Sequence, residues 1–196
     1  MSAIGVIELQ NQRFQVIDLD SKLYEGKMLF LTGELNEDSV DDLQKQLIYL
    51  RKTTTAEESQ SHPIQIYINS PGGEVYSALG LYDFIRYMIK EGYIIETFNR
   101  GLAASAAAVI LLSGSEGHRY SFPNATVMMH QPSSYSYGTV TDMEIDIAES
   151  KRLKQRINDI IIQHAGSEII PYMERDKYLD AETALSFNII DQIKKS

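Results

Sequence analysis

The sequence predicts an α/β fold in which helices cover a largely parallel sheet. Three observations carry that expectation. From Lys27 onward, short apolar runs alternate with segments of helical periodicity. Turn residues punctuate the alternation at Gly33, Pro71-Gly72-Gly73, Gly92 and Pro123-Asn124. Residues 102–112 are apolar nearly throughout, as in an element buried on all sides. At 196 residues the chain suits one domain with a substantial core.

The elements follow in order. Residues 1–20 alternate loosely, with Val6, Ile7, Leu9, Phe14, Val16 and Ile17 apolar, and predict a hairpin or extended arm ahead of one domain over 21–196. Residues 28–31 form a short strand closed by Gly33. Asn36 or Asp38 can cap a helix with Val40, Leu43, Leu47 and Leu50 on one face. Residues 52–62, with three threonines and two glutamates, read as a surface loop. Residues 64–68 are a strand, and Pro71-Gly72-Gly73 turns the chain into a second amphipathic helix. Val75, Leu79, Tyr82, Ile85 and Ile89 line its expected buried side, and Gly92 stops it. Residues 93–98 are a strand leading into a helix at Ser105. Residues 118–122 and 125–129 read as a strand hairpin around Pro123-Asn124.

A longer helix is predicted over about 141–164. Ile147, Leu153, Ile157, Ile160 and Ile161 give it an apolar stripe. A helix of ~24 residues extends about 36 Å, more than a domain of this size ordinarily needs. That length favours an interface over a purely internal contact.

The formal charge of −9 argues against a nucleic-acid or anionic-membrane partner, because no basic stripe is available to meet phosphates. Lys151, Arg152, Lys154 and Arg156 do cluster. They follow Glu144, Asp146 and Glu149 on the same predicted helix, so a solvated face or subunit contact is expected. The absence of cysteine excludes disulfides, thiol catalysis and thiolate metal sites. The first five residues lack the layout of a secretory signal, and the longest apolar run is too short for a bilayer. A cytoplasmic location is the resulting expectation.

The richest chemistry lies in Gly101-Leu102-Ala103-Ala104-Ser105-Ala106-Ala107-Ala108. A lone serine sits among residues with almost no side chain, so another backbone can approach its hydroxyl. A helix starting there also aims free N–H groups at the site. Taken alone, Ser105 could simply cap a core helix. Three further motifs change the balance: Ser70-Pro71-Gly72-Gly73, His130-Gln131-Pro132 and Glu174-Arg175-Asp176. Together they supply a nucleophile, a base, an orienting carboxylate and a loop of backbone donors. A serine hydroxyl needs a base to take its proton, and His130 is the candidate. His62 in the polar loop, His118 at a turn and His164 in a basic last helical turn are alternatives by type only. No H-E-x-x-H, no acidic ladder with metal-ligand spacing and no G-x-x-x-x-G-K-[ST] is present. Neither a cofactor nor a metal is expected, and ATP hydrolysis by that motif is excluded.

This ordered set resembles the proteolytic subunit of the Clp protease (ClpP) from about Leu23 to the end. Arg119 through Pro123 to Val127-Met128-Met129-His130-Gln131-Pro132 fits the family pattern. So do Asn69-Ser70-Pro71-Gly72-Gly73, Ala181-Glu182-Thr183-Ala184 and Ile189-Ile190-Asp191. The resemblance implies the crotonase-like ββα spiral, with residues 141–164 as a protruding handle helix that interlocks two heptameric rings. It implies an N-terminal arm lining the axial entrance. It also implies serine endopeptidase activity on unfolded polypeptides, delivered by an AAA+ unfoldase at the cost of ATP in protein quality control. In that scheme Ser105 is the nucleophile and His130 the base. Gly73 and Ala106 supply backbone oxyanion donors. Sequence separation alone would make Asp176 an exposed turn residue. Its Glu-Arg-Asp context makes it the orienting acid, with Asp180 the nearest substitute because the preceding segment is short.

Four positions depart from the family pattern. Arg100 replaces an apolar residue, Ser133-Ser134-Tyr135-Ser136-Tyr137 replaces a glycine pair and strand, Gln65 replaces a docking-pocket aromatic, and Asn188 replaces a glycine. They point to a diverged paralogue. Two competing expectations follow: a weakly active or regulatory ring subunit of a mixed barrel, and a crotonase-fold enzyme acting on a CoA thioester.

Overall fold

The computed structural model describes residues 5–10 and 13–195. Residues 1–4 and 11–12 of the expected arm lie outside the described residues. The rest of the arm is an antiparallel pair, β1 (Gly5–Gln10) and β2 (Arg13–Asp18). After it come α1 (Leu19–Glu25), β3 (Met28–Thr32), α2 (Glu37–Thr53) and α3 (Ala56–Ser61). β4 (Ile64–Ser70), α4 (Val75–Lys90), β5 (Ile95–Ala104) and α5 (Ala106–Leu112) follow. Next are β6 (Arg119–Ser121), β7 (Thr126–Met129) and α6 (Val140–Ala165). A 3-10 helix (Ser167–Glu174), β8 (Lys177–Leu179), α7 (Ala181–Ser186) and β9 (Gln192–Ile193) complete the chain.

Strands β3, β4, β5, β6 and β9 lie side by side and run parallel. β7 is a further parallel partner of β5, and β8 pairs antiparallel with β7. This is the mixed α/β architecture with a largely parallel sheet that the alternating pattern predicts. Ile64, Ile66 and Ile68 of β4 are fully buried, and α2 buries Val40, Leu43, Leu47 and Leu50 as expected. Asn36 is the cap of α2: its side chain accepts from the Ser39 N–H, while the Ser39 hydroxyl accepts from the Asn36 N–H. Every residue of α5 is buried, consistent with its lack of a polar face.

Three expectations are corrected. The 52–62 segment is not all loop, because Thr55 and Glu58 form a capping box that starts α3. The buried face of α4 is Ala78, Leu81, Tyr82, Ile85 and Met88, whereas Val75, Leu79 and Ile89 are only partly buried. The helix is clasped by both α2 and α5, which moves its apolar centre toward Leu81. β6 and β7 form no hairpin with each other. Both run parallel to β5, β6 beside Thr97 to Asn99 and β7 beside Leu102 to Ala104.

A bulge in β5 allows that double pairing. The register with β4 slips between Ile68 and Ser70, so Arg100 and Gly101 bend the strand between its two partners. The Asn69 side chain accepts from the Leu102 N–H at 3.0 Å and holds the bend. A Cβ at Gly101 would lie 2.7 Å from that same oxygen, which explains the glycine. Arg100 points outward, donating to the Thr32 hydroxyl at 2.8 Å and lying over Phe30. Its departure from an apolar residue therefore falls on an exposed position.

The stripe on α6 is divided. Leu153, Ile157, Ile160 and Ile161 are buried in the chain's own core, while Ile147 stays exposed at 50%, as does Ile145, outside the stripe, at 62%. The internal reading holds for the C-terminal half only.

At the far side of the sheet, Arg119 donates to both Asp191 carboxylate oxygens, from Nη2 at 2.6 Å and from Nε at 2.9 Å. Burial raises the Asp191 pKa, but these bonds and the Arg119 N–H outweigh it and hold the carboxyl below 3.8. Asp191→Asn should cost about 3 to 5 kcal/mol in urea unfolding, because it leaves a buried guanidinium uncompensated. The wild-type contribution is present above the unfolded carboxylate pKa. It should fade as pH falls through the depressed folded value.

Candidate active site

β7 gathers the residues that the sequence singles out. On one side it pairs with β5, and the Ser105 N–H donates to the Met128 carbonyl at 2.8 Å. On the other side Met129 pairs with Lys177 of β8, so the next opposed positions are His130 and Asp176. The side chains meet accordingly. His130 Nε2 lies 2.7 Å from Ser105 Oγ, and His130 Nδ1 lies 3.2 Å from Asp176 Oδ1. Asp180 is not part of this group, because it caps α7 by accepting from the Thr183 N–H at 2.8 Å.

Ser105 occupies the cap position of α5 but makes no capping hydrogen bond. Its backbone has φ +54° and ψ −123°, a conformation that non-glycine residues rarely adopt. The turn throws the hydroxyl toward His130 instead of toward the helix N–H groups. The helix-cap alternative is thereby excluded.

The Pro-Gly-Gly loop lies against this turn. A Cβ at Gly72 would come within 2.6 Å of the Ala104 carbonyl oxygen and 2.8 Å of Ser105 Cβ. Gly73 is fastened to Leu35, whose N–H donates to Gly72 O at 2.8 Å and whose carbonyl accepts from Glu74 at 2.9 Å. That parallel bridge turns the Gly73 N–H the other way, and it has no acceptor among the described residues. Ala106 follows Ser105 as the first residue of α5, where backbone N–H groups have no intrahelical partner. Beside Ser105 opens a small apolar pocket with walls from Val75, Val109, Met129, Ile161 and Met173.

Sequence reasoning missed the residues that hold the Asp176 segment in place. The Gln131 N–H donates to Met173 O at 2.9 Å, and its side-chain amide donates to Glu174 O at 3.1 Å. Lys154 on α6 donates to the Gln131 amide oxygen at 2.8 Å and pairs with Glu174. The only signal was the Gln131 of the His-Gln-Pro motif. Arg152 of the same basic cluster pairs with Glu149, in keeping with a solvated face.

The other histidines lie elsewhere. His62 caps the end of α3, and His118 faces Glu96 at 3.2 Å. His164 lies in the last turn of α6, where a helix dipole ordinarily favours a cation, but its surroundings reverse that preference. Burial first, then Arg86 and Arg119, push its pKa down to about 4, and Nε2 meets the Tyr82 hydroxyl at 2.8 Å.

The Clp protease family model matches residues 10–196. The chain belongs to the Clp protease family. It is therefore a Clp-type serine peptidase, and its parallel sheet with covering helices accords with the ββα spiral of that family. Against the family pattern, Gln65 is absorbed into a polar contact, donating to Glu96 at 2.9 Å and accepting from Tyr67 at 3.1 Å. Asn188 adopts φ +55°, the conformation that its exchange for glycine requires. Among the described residues no helix is long and apolar enough to cross a membrane. No group of three or more metal-ligating side chains occurs among them either.

Gly72→Ala should push the Ser105 turn out of place, since the new methyl meets backbone and cannot rotate away. Its φ of +90° adds strain. The variant should fold with reduced stability and lose peptide hydrolysis. Near-normal turnover would show that the loop does not position the serine.

Proposed function

We propose that this chain is the serine endopeptidase subunit of a self-compartmentalised, ATP-dependent protease that acts on unfolded polypeptides. The observation that carries this reading is the hydrogen-bonded line from Ser105 Oγ through His130 to Asp176. In the first half-reaction Ser105 Oγ attacks the scissile carbonyl while His130 Nε2 takes its proton. Asp176 accepts from the Nδ1–H, fixes the tautomer and stabilises the imidazolium without becoming protonated. The Gly73 and Ala106 N–H groups receive the oxyanion of the tetrahedral intermediate, a role worth about 3 kcal/mol per donor. His130 then protonates the leaving amine. In the second half-reaction it activates water to hydrolyse the acyl-enzyme. The pocket beside Ser105 favours an apolar side chain at the cleaved residue.

The apolar surface on the first half of α6 supports assembly through that helix. Ile145 and Ile147 on α6, and Tyr135 and Tyr137 in the segment before it, are exposed large apolar side chains. We infer two stacked heptamers joined by these helices, with the N-terminal pair at the axial entrance, a cytoplasmic location and an AAA+ unfoldase as partner. A reduced-activity subunit of a mixed barrel is the second reading. It is favoured by residues 130–137, which form no strand beside the site, and by Tyr135, which is 89% exposed.

Ser105→Ala and His130→Ala should each bring short-peptide hydrolysis to background, a loss on the order of 10⁶-fold, with unfolding midpoints little changed. Retained turnover in either variant would remove the proposed nucleophile or base. Light scattering should report a particle of about fourteen chains, and monomer at all concentrations would contradict the handle assignment. Folded substrates should persist until unfoldase and ATP are added. Gln65→Tyr should tighten unfoldase docking or leave it unchanged, because an added aromatic suits an interface pocket. Clear weakening would show a differently arranged docking surface.

A further inference from the structure

A separate, polar pocket lies between α4, the last turn of α6 and the loop from α5 to β6. Its volume is about 210 Å³, and it is lined by Arg86, Gly114, Glu116, Arg119, Gln163 and His164. Arg119 is only 5% exposed. Asp191 engages its Nε and Nη2, but its Nη1 is buried with no hydrogen-bond partner among the described residues. A buried donor left open in this way is costly, so a missing acceptor is the simplest explanation. Among the described residues, the hydrogen bonds of Arg86 are two long ones from Nη1, 3.4 Å to Ser113 O and 3.3 Å to Gly114 O. Two guanidinium groups thus face one polar space.

We propose that this pocket binds a small oxyanion of the phosphate class, held by Arg86 and by Nη1 of Arg119. Planar guanidinium forks suit a ligand with several acceptor oxygens, and a pocket of this polarity does not suit an apolar one. The surrounding charges fit the same assignment. His164 is driven toward its neutral form by burial and by Arg86 and Arg119, with only Asp191 opposing. Its remaining contact is the Tyr82 hydroxyl. Glu116 is the one acid lining the pocket, and it stands exposed where it repels a bound anion without filling the space. An oxyanion here ties α4, α6 and the loop before β6 together, so binding reads out as added stability and does not involve proteolysis.

The test uses the intact protein, with inorganic phosphate compared against chloride at equal ionic strength. The His164 ring resonance, identified by its loss in His164→Gln, reports the site. Phosphate should raise the His164 pKa saturably from about 4, because the anion offsets both guanidinium charges, and should raise the melting temperature. Arg86→Gln should weaken the apparent phosphate affinity by about tenfold or more, as loss of a charged hydrogen-bond partner does. Glu116→Gln should strengthen it. Equal effects of chloride and phosphate would overturn the proposal, as would unchanged phosphate affinity in Arg86→Gln. If Arg86→Gln does not fold, Glu116→Gln decides alone, and unchanged or weaker affinity there refutes the site.

Discussion

The double pairing of β7, with β5 on one edge and β8 on the other, sets the distances among three side chains from distant parts of the chain. Backbone ladders position their residues far more tightly than flexible side chains could. Ser105, His130 and Asp176 each sit one residue beyond the last paired residue of their strand or just before the first. A slip of one residue in either register would turn His130 to the opposite face and break both of its contacts. The bulge at Arg100 and Gly101 is the precondition for this arrangement. A straight β5 would offer one continuous edge to β6 and leave no place for β7.

The cost of the arrangement is concentrated at Ser105, whose positive φ is held by its surroundings. Its N–H is bonded to β7, Gly72 presses on it from one side, and the wholly buried α5 anchors it from the other. Strain of this kind persists only where neighbouring structure over-determines it. The Leu35–Gly73 bridge serves the same end, since it leaves the Gly73 N–H free beside the serine turn. Gln131 and Lys154 complete the support by binding the 3-10 helix that delivers Asp176.

Much of this was legible in the sequence where local chemistry decides the outcome. The apolar face of α2, the run of α5, the Pro-Gly-Gly turn and the Ser105 and His130 motifs all carried visible signals. Other features depended on tertiary context. The rotated face of α4 follows from being clasped by two helices, and the neutral His164 from burial that no periodicity reveals. The parallel placement of β6 and β7 depends on a bulge stabilised by Asn69, a residue more than thirty positions from Leu102, whose N–H it accepts. Asp176 carries a weak sequence signal because short acidic turns are common, and the β8 register separates it from Asp180.

The most direct test of the account is covalent labelling with a fluorophosphonate, which reacts with a serine whose hydroxyl is activated by a neighbouring base. Mass spectrometry of the labelled wild-type protein should find the adduct on Ser105 alone, and labelling should collapse in His130→Ala although Ser105 remains. An adduct on another serine would contradict the assignment of the site. Undiminished labelling of Ser105 without His130 would contradict the claim that β7 builds the site by bringing base to nucleophile.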